Sequence, residues 1–576
     1  MNCMVQWLRT TVIVTLAAGH ALADELPLRD VRTAATVHLP GADVELPVPW
    51  WREAIQAPLG IAARTASITA DEAVIQSMAQ SPDIQVFGIQ PQIERAEITR
   101  QQAAFDWTNF LESTWDDRSD PIGSTLTTGS IEGRYKDRLL STAGGTRKTT
   151  TSGTELELAE RMGWQQNNST FLIPNPQTTS RLELTLTQPL LAGRGEAYNL
   201  RRVIEARLIT EGSQAQSIAR IQQYLLTVHE RYWELYRARA IFLQRKRAAD
   251  RAAELAESLN RRTQLDTSSR QVFRSRTAAE QQHAELIKAA GIADMASIEL
   301  RRLVGTVDFE SELIPLQSPT IAVDAIDPAT AIQCALAKRA EIDAAVREIR
   351  VASVRLGASK NELMPRLDLI AGTYVAGLTP DRSFADAFGR QLSDGRPTYN
   401  MGVAWEQPAG NRAAKMVRYR RQLEMQAAMA RYESAVQDVR RDVEMALHQI
   451  HLTYRSLVQR HQTLAAAQDE ANFLLDRWNT SPGSDGPVIL LLEDLIGAQS
   501  RVADEENATV IAETEHAIAQ VRYLKATGTL IQSCRPIAPA EPAENFPLPP
   551  PELPGAMIES EINAPEQTRS PEAIAP

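Results

Sequence analysis

The chain has 576 residues, of which 43% are hydrophobic, 5% aromatic and 23% charged, and its formal net charge is −11. After the N-terminus it contains no apolar run of the roughly 18 or more residues that a membrane-spanning helix needs, which excludes a polytopic helical membrane protein. The acidic balance disfavours a nucleic-acid binder, and three cysteines exclude a small disulfide-stapled protein. Length alone predicts about three or four ordinary domains.

Residues 1–23 predict a secretory signal peptide. Arg9 supplies the positive charge, residues 10–19 form a short apolar run, and Ala21-Leu22-Ala23 is a cleavage site of the A-x-A type. The alternative is a buried N-terminal helix. If the signal is removed, the mature chain begins at Asp24, without a cysteine for lipid attachment. The later cysteines, Cys334 and Cys534, are then either free thiols or a pair.

An N-terminal extension, residues 24–66, follows the signal. It carries Trp50 and Trp51 among prolines. We expect this extension to wrap around the outside of the folded body.

Short segments with a hydrophobic residue at every second position predict β-strands near residues 180–189 and 397–407. The hydrophobic residues of these two segments are Leu182, Leu184, Leu186, Tyr399, Met401, Val403 and Trp405. Each segment ends in a Gln-Pro pair, which stops a strand before a helix begins. Partner strands are predicted near residues 105–118 and 366–378. Such alternation is typical of a barrel strand with one face in lipid, and equally of an amphipathic strand in a soluble sheet.

Two long segments predict helices that are too long for a compact core. Proline is absent from residues 196–262 and from residues 411–481, and hydrophobic residues recur in both at heptad spacing. Each segment extends roughly 100 Å as a helix. A break and a second helical run follow each one, which predicts two helical hairpins over residues 196–305 and 411–530.

The chain repeats itself. Residues 73–84 align without gaps with residues 331–342, and the predicted elements then follow in the same order. The sequence therefore predicts a first repeat over residues 67–305, a linker over 306–326 and a second repeat over 327–533. A loop of about 60 residues, rich in Thr and Gly, separates the two strands of the first repeat. Residues 534–576 hold 11 of the 31 prolines and predict a disordered tail.

Four segments carry a resemblance to a known family. They are LTLTQPLLAGRGEAYNLRRVIEARL at 184–208, GVAWEQPAGNRAA at 402–414, DLIGAQSRVADEE at 494–506 and YLKATGTL at 523–530. In this order the chain resembles the TolC-type outer-membrane efflux and secretion channels, over roughly residues 67–533.

The resemblance implies a mainly α fold with a small antiparallel β part, built from a duplicated helix-strand-strand-helix-helix repeat. Three copies would each contribute four strands to a 12-stranded β-barrel in the outer membrane, continued through the periplasm by a long α-helical barrel. Such channels are passive conduits of tripartite efflux or type I secretion systems. Their partners are outer-membrane lipid, a periplasmic adaptor protein and an inner-membrane pump of the RND, ABC or MFS type, and no nucleic acid.

The resemblance also implies roles for particular residues. The hairpin breaks would be periplasmic tips that contact the adaptor, at Leu265, Asp266, Thr267, Ser481, Pro482 and Gly483. Asp494, with Glu493 beside it, would line the closed periplasmic entrance. The alternative for Asp494 is an ordinary acidic residue near a helix N-terminus, where the helix dipole favours it. The seven alternating strand residues given above would face the membrane.

Catalytic patterns are absent from the sequence. It contains no phosphate-binding Gly-x-x-x-x-Gly-Lys loop and no Gly-x-Ser-x-Gly nucleophile elbow. His448 and His451 lie three residues apart but have no evident third metal ligand. We therefore expect no enzyme, no cofactor and no metal site. The alternative to an export channel is a periplasmic coiled-coil scaffold without a pore.

Overall fold

The fold is described from a computed structural model, for residues 46–60, 64–131, 133–262, 269–306, 311–320, 326–480 and 486–533. The predicted signal peptide, the Pro-rich tail with Cys534, and all six predicted tip residues lie outside these ranges. Cys334 lies inside them, with its Sγ 4.0 Å from the carbonyl oxygen of Thr527.

The described residues form the following helices and strands. The helices are α1 (Trp51–Ala54), α2 (Ala70–Gln80), α3 (Pro82–Gln102), α4 (Glu196–Asn199), α5 (Arg201–Arg262), α6 (Ser269–Val304), α7 (Pro328–Lys338), α8 (Ala340–Asn361), α9 (Phe384–Ser393), α10 (Arg412–Thr480), α11 (Gly486–Ala526) and α12 (Leu530–Ser533). The strands are β1 (Arg64–Ile68), β2 (Thr108–Pro121), β3 (Arg134–Thr149), β4 (Glu155–Asn167), β5 (Gln177–Pro189), β6 (Ser311–Pro315), β7 (Arg366–Thr379) and β8 (Thr398–Glu406).

Two helical hairpins contain the longest elements. Helix α5 has 62 residues and packs along α6, and helix α10 has 69 residues and packs along α11. Each of the two longer helices therefore extends roughly 100 Å. Their hydrophobic seams face other helices: Leu225, Val228 and Tyr232 of α5 and Val443 and Leu457 of α10 are fully buried. Among the described residues, no helix has both the length and the apolar character needed to cross a membrane.

The two halves of the chain meet in a small parallel pair of strands. β1 pairs with β6 from Arg64↔Ser311 to Ile68↔Pro315. A capped helix follows each strand: Thr69 and Glu72 form a capping box at α2, and the side chain of Asp327 accepts hydrogen bonds from backbone N–H groups at the start of α7. Residues 306–326, predicted as a linker, thus contain a strand of the core.

The described residues of the N-terminal segment, 46–60, are anchored to the core. Trp51 and Ile55 are fully buried in a cluster with Tyr232 and Leu235 of α5. Burying an indole of this size removes a large apolar area from water and anchors the segment. The wrap of residues 24–66 around the outside of the body stays a prediction, because residues 24–45 lie outside the described ranges.

A single antiparallel sheet holds the other six strands, in the order β2-β3-β4-β5-β7-β8. The prediction of four strands per chain is wrong, because the stretch expected as a long loop over residues 118–180 folds into β3 and β4. Both strands pair along almost their whole lengths with their neighbours. Thr is abundant in this stretch, and a β-branched residue suits a pleated surface as well as it suits a loop.

Candidate functional site

The six-stranded sheet has two chemically different faces. Side chains alternate between faces along each strand, and the pairing register decides which side chains share a face. We call one the apolar face; its large hydrophobic residues are Leu111, Trp115, Leu140, Leu156, Leu158, Met162, Trp164, Leu182, Leu184, Leu186, Leu367, Leu369, Val375, Tyr399, Met401, Val403 and Trp405. All seven strand residues predicted to face the membrane lie on it. Their contact with lipid stays a prediction.

The opposite face, which we call the polar face, carries charged pairs. Arg161 of β4 forms ion pairs with Glu157, at 3.1 Å, and with Glu183 of β5, also at 3.1 Å. The guanidinium of Arg181 lies 3.6 Å from the ring centroid of Tyr374 on β7. Contacts between partly exposed charges of this kind contribute little stability but keep the surface hydrated. The polar face is thus suited to an aqueous environment and the apolar face is not.

Glu160 is an acidic residue on the apolar face, and a helix covers it. Ser180 donates a hydrogen bond to Glu160 at 2.5 Å, and the Gln391 amide of α9 donates another at 3.1 Å. Gly377 lets α9 pack this closely, because a Cβ there would lie 2.2 Å from the carbonyl oxygen of Ala387. Helix α9, which the sequence did not predict, therefore shields the carboxylate of Glu160.

Both edge strands of the sheet are open. On β8, Tyr399 is 77% exposed and Met401 is 80% exposed, and on β2 Leu111 is 77% exposed. Two tryptophans lie at different levels along the edge strand β2. Trp107 directly precedes β2, at the end of the sheet that is next to the helices. Trp115 lies eight residues further on, about 27 Å along the strand. With the strands tilted by about 40°, this spacing corresponds to a height of about 21 Å, comparable with the apolar band of an outer-membrane barrel, about 25 Å tall between aromatic girdles.

The ends of the two helical hairpins come together at the opposite end of the long helices. Leu259 of α5, Trp478 of α10 and Leu492 of α11 share a hydrophobic cluster there. Glu493 forms an ion pair with Arg274 of α6, with an Nη1–Oε1 distance of 2.7 Å. Asp494 is exposed, and the described residues offer it no ion pair. Both predicted constriction residues therefore lie near the described ends of the hairpin helices, where Glu493 has an ion-pair partner among the described residues and Asp494 has none.

Buried ionisable groups lie between α10 and α11. Burial raises the pKa of the Glu513 carboxyl to about 7, while Arg52, 3.8 Å away, opposes that rise. Burial also lowers the pKa of His516 to about 4. Nε2 of His516 accepts from the Gln520 amide at 3.1 Å, so the ring proton is on Nδ1, which donates to Thr453. The sequence did not point to these groups, because their burial is a tertiary property.

Candidate metal ligands are not clustered in the described part of the chain, where no group of three or more His, Cys, Asp or Glu side chains is placed to hold an ion. The candidate functional features are instead extended surfaces: an amphipathic sheet with two unpaired edge strands, and the two long helical hairpins joined to it.

Comparison with solved structures identifies this arrangement as the fold of outer-membrane channels. Three of the similar chains are the CmeC outer-membrane channel of Campylobacter jejuni, the outer-membrane protein VceC of Vibrio cholerae, and the MtrE outer-membrane channel of Neisseria gonorrhoeae in its open state. No protein-family model matches the sequence, and no curated protein matches it either.

The agreement extends over nearly the whole of each channel. The TM-scores are 0.59 for CmeC, 0.56 for VceC and 0.56 for MtrE, at sequence identities of 12%, 14% and 14%. The alignments cover 86%, 80% and 84% of this chain and 94%, 96% and 98% of the three channels, in the same order. The TolC-type fold predicted from the sequence is therefore confirmed.

Proposed function

We propose that this chain is the outer-membrane channel of a tripartite efflux or type I secretion system. One observation carries the proposal. A sheet with one apolar and one polar face continues, at one end of its strands, into two helical hairpins about 100 Å long. A sheet of this kind suits lipid on one side and water on the other. Helices of this length suit a tunnel through the periplasm.

The open edges support assembly into a closed barrel. Unpaired N–H and C=O groups are costly in hydrocarbon, so a membrane-spanning sheet needs closure. In the proposal the next copy of the chain supplies it, and three copies complete the wall, as in the channels that the sequence resembles. The strands then lie in the outer membrane and the helices in the periplasm.

The hairpin tips are the proposed docking surface for a periplasmic adaptor, which in turn binds an inner-membrane pump of the RND, ABC or MFS type. The tip residues proposed for contact are Leu265, Asp266, Thr267, Ser481, Pro482 and Gly483. Asp494 and Glu493 are the proposed constriction. In the proposal the channel itself is passive, and the pump supplies the energy.

Fractionation of cells that express the full chain tests the proposal. We expect the protein in the outer membrane, migrating on mild SDS gels as a trimer that dissociates on heating. Purified trimer should form ion-conducting pores in planar lipid bilayers. A monomer in the soluble periplasmic fraction, without conductance, would contradict the channel and favour the scaffold without a pore.

A further inference from the structure

We infer that β3 and β4 belong to the barrel wall, so that six strands from each of three copies build an 18-stranded barrel with a wider lumen than the 12-stranded barrel that the resemblance implies. This inference rests on the proposed channel function. It concerns a hairpin that separates β2 from β5, two strands that would otherwise be neighbours in a sheet of four.

The position of the hairpin in the ladder supports this assignment. β3 pairs with β2 over 14 residues and with β4 over 13, and β4 pairs with β5 from Glu155↔Thr187 to Gln165↔Gln177. The β5–β7 ladder runs from Thr178↔Thr379 to Pro189↔Asp368 and so covers the same length of β5. The two strands thus lie level with the rest of the sheet.

The turn between β3 and β4 lies at the end of the sheet from which the helices continue. The carbonyl oxygen of Ser152 accepts a hydrogen bond from Gly195, directly before α4, at 3.1 Å. Thr154 donates to the side chain of Gln188 at 2.5 Å. Gly153 has a φ of +93° and lies against the backbone of Gly193, where a Cβ would be 2.5 Å from its carbonyl oxygen. The hairpin therefore spans the full height of the sheet.

Strand β4 of the hairpin follows the same division into two faces. Leu156, Leu158 and Met162 continue the apolar face of β5, in register with Leu186, Leu184 and Ser180. Glu157 and Arg161 continue the polar face, and Arg161 forms ion pairs with both Glu157 and Glu183. If the hairpin projected into water, β4 would have no reason to carry Leu156, Leu158 and Met162 together on one face.

Strand directions allow closure by further copies of this chain. Successive strands of the sheet are antiparallel, and six is an even number, so β2 and β8 at the two edges also run in opposite directions. β8 of one copy can therefore pair antiparallel with β2 of the next. With strands about 4.8 Å apart and tilted by about 40°, the backbone radius is about 18 Å for 18 strands and about 12 Å for 12 strands.

Fluorescence quenching at single cysteines tests the assignment. In the full chain with Cys3, Cys334 and Cys534 changed to Ser, one variant carries Leu158→Cys and another Glu157→Cys. Each is labelled with an environment-sensitive fluorophore after reconstitution into lipid vesicles. The matched reference pair is Leu184→Cys and Thr185→Cys on β5, which lies in the wall in either barrel.

We expect a nitroxide-labelled lipid to quench the labels at 158 and 184 several-fold more than iodide does, and the reverse at 157 and 185. Iodide quenching at 158 combined with lipid quenching at 184 would overturn the 18-stranded wall and leave the channel intact. Loss of lipid quenching at 184 would contradict the channel itself, and the wall with it. Electron cryo-microscopy of the trimer counts the strands directly: 18 supports the inference, and 12 overturns it.

Discussion

Trp115 of β2 and Trp164 of β4 stack across β3, with ring centroids 5.8 Å apart and ring planes 6° from parallel. Leu140 of β3 lies on the same rung of the sheet, between them. The guanidinium of Arg382 lies 4.4 Å from the ring centroid of Trp164. The stack joins two strands that share no hydrogen bonds and so fastens the β3–β4 hairpin to the edge strand.

Trp164→Ala should lower the melting temperature of the purified protein more than Trp405→Ala does, because Trp164 is 6% exposed in the single chain and Trp405 is 64% exposed. The stacked pair contributes about 1 kcal/mol beyond the area that it buries. The double variant Trp115→Ala with Trp164→Ala should therefore lose less than the sum of the two single losses. Strictly additive losses would show that the stack contributes nothing of its own.

Arg239→Met should destabilise the protein strongly. Its Nη1 lies 2.6 Å from Oε1 of Glu312, with both side chains buried, and its Nη2 donates to the carbonyl oxygens of Ile55 and Ala57. Removing the cation leaves the Glu312 carboxylate buried without its partner, at a cost of about 3–5 kcal/mol. Limited proteolysis should then cut within residues 46–60, which the wild-type chain protects.

The matched control is Arg441→Met, which removes an exposed arginine paired with Asp438. Its cost should stay below about 1 kcal/mol, because exposed ion pairs contribute little. Equal melting temperatures for the two variants would contradict a structural role of the buried pair.

Glu513→Gln should stabilise the protein at alkaline pH and leave it unchanged at acidic pH. The carboxyl has a pKa of about 7 in the folded chain and an ordinary value of 4.5. The folded chain therefore holds this proton more tightly, so its stabilising effect is complete below about pH 4.5 and is lost as the pH rises to about 7. Glutamine stays neutral throughout, and the gain at pH 8 is up to about 3 kcal/mol.

Melting curves of both proteins at pH 4.5 and pH 8 check this prediction. His516, whose pKa is lowered to about 4, contributes the opposite trend, with stability lost as the pH falls from 6.5. That trend is common to both proteins and cancels in the comparison. A stability difference that does not change with pH would show that folding leaves the pKa of Glu513 at its ordinary value.

Charge changes at the hairpin tips should alter conductance in planar bilayers. Asp494 is exposed, so Asp494→Asn should raise tolerance to multivalent cation blockers applied at the periplasmic end. Glu493→Gln removes the ion pair with Arg274, which joins α11 to α6, and should raise conductance by loosening the tips. Glu444→Gln, which changes an exposed acid on α10, is the control. Conductance and selectivity that match the control in both variants would end the constriction hypothesis.

Several elements followed from local sequence alone. The absence of proline predicted α5 and α10, and the alternation around Leu184 and Met401 predicted β5 and β8. The resemblance predicted the TolC-type fold, which the solved channels confirm. These features can be predicted from sequence because the hydrophobic positions of a helix or a strand recur with a short period, which neighbouring residues show.

The β3–β4 hairpin was missed because its apolar face is interrupted. Thr142, Gly144 and Glu160 lie on that face, and they break the alternation that reveals a strand. Glu160 is tolerated because Ser180 and Gln391 donate hydrogen bonds to it. Gln391 lies 231 residues away along the chain, so the residues around Glu160 do not predict this hydrogen bond to its carboxylate.

The sequence by itself determined the long helices and the alternating strands, because their hydrophobic periods are visible among neighbouring residues. It also determined the duplication, because two segments of the chain align with each other. Pairing is a property of residues far apart, and only the tertiary structure decided that six strands share one sheet, that β1 joins β6, and that Trp51 is buried against α5. The physical reason is that hydrogen bonding between strands and the burial of side chains depend on which distant surfaces meet. The same hydrophobic pattern is compatible with several arrangements of paired strands and packed helices, and the packing of the whole chain selects one of them.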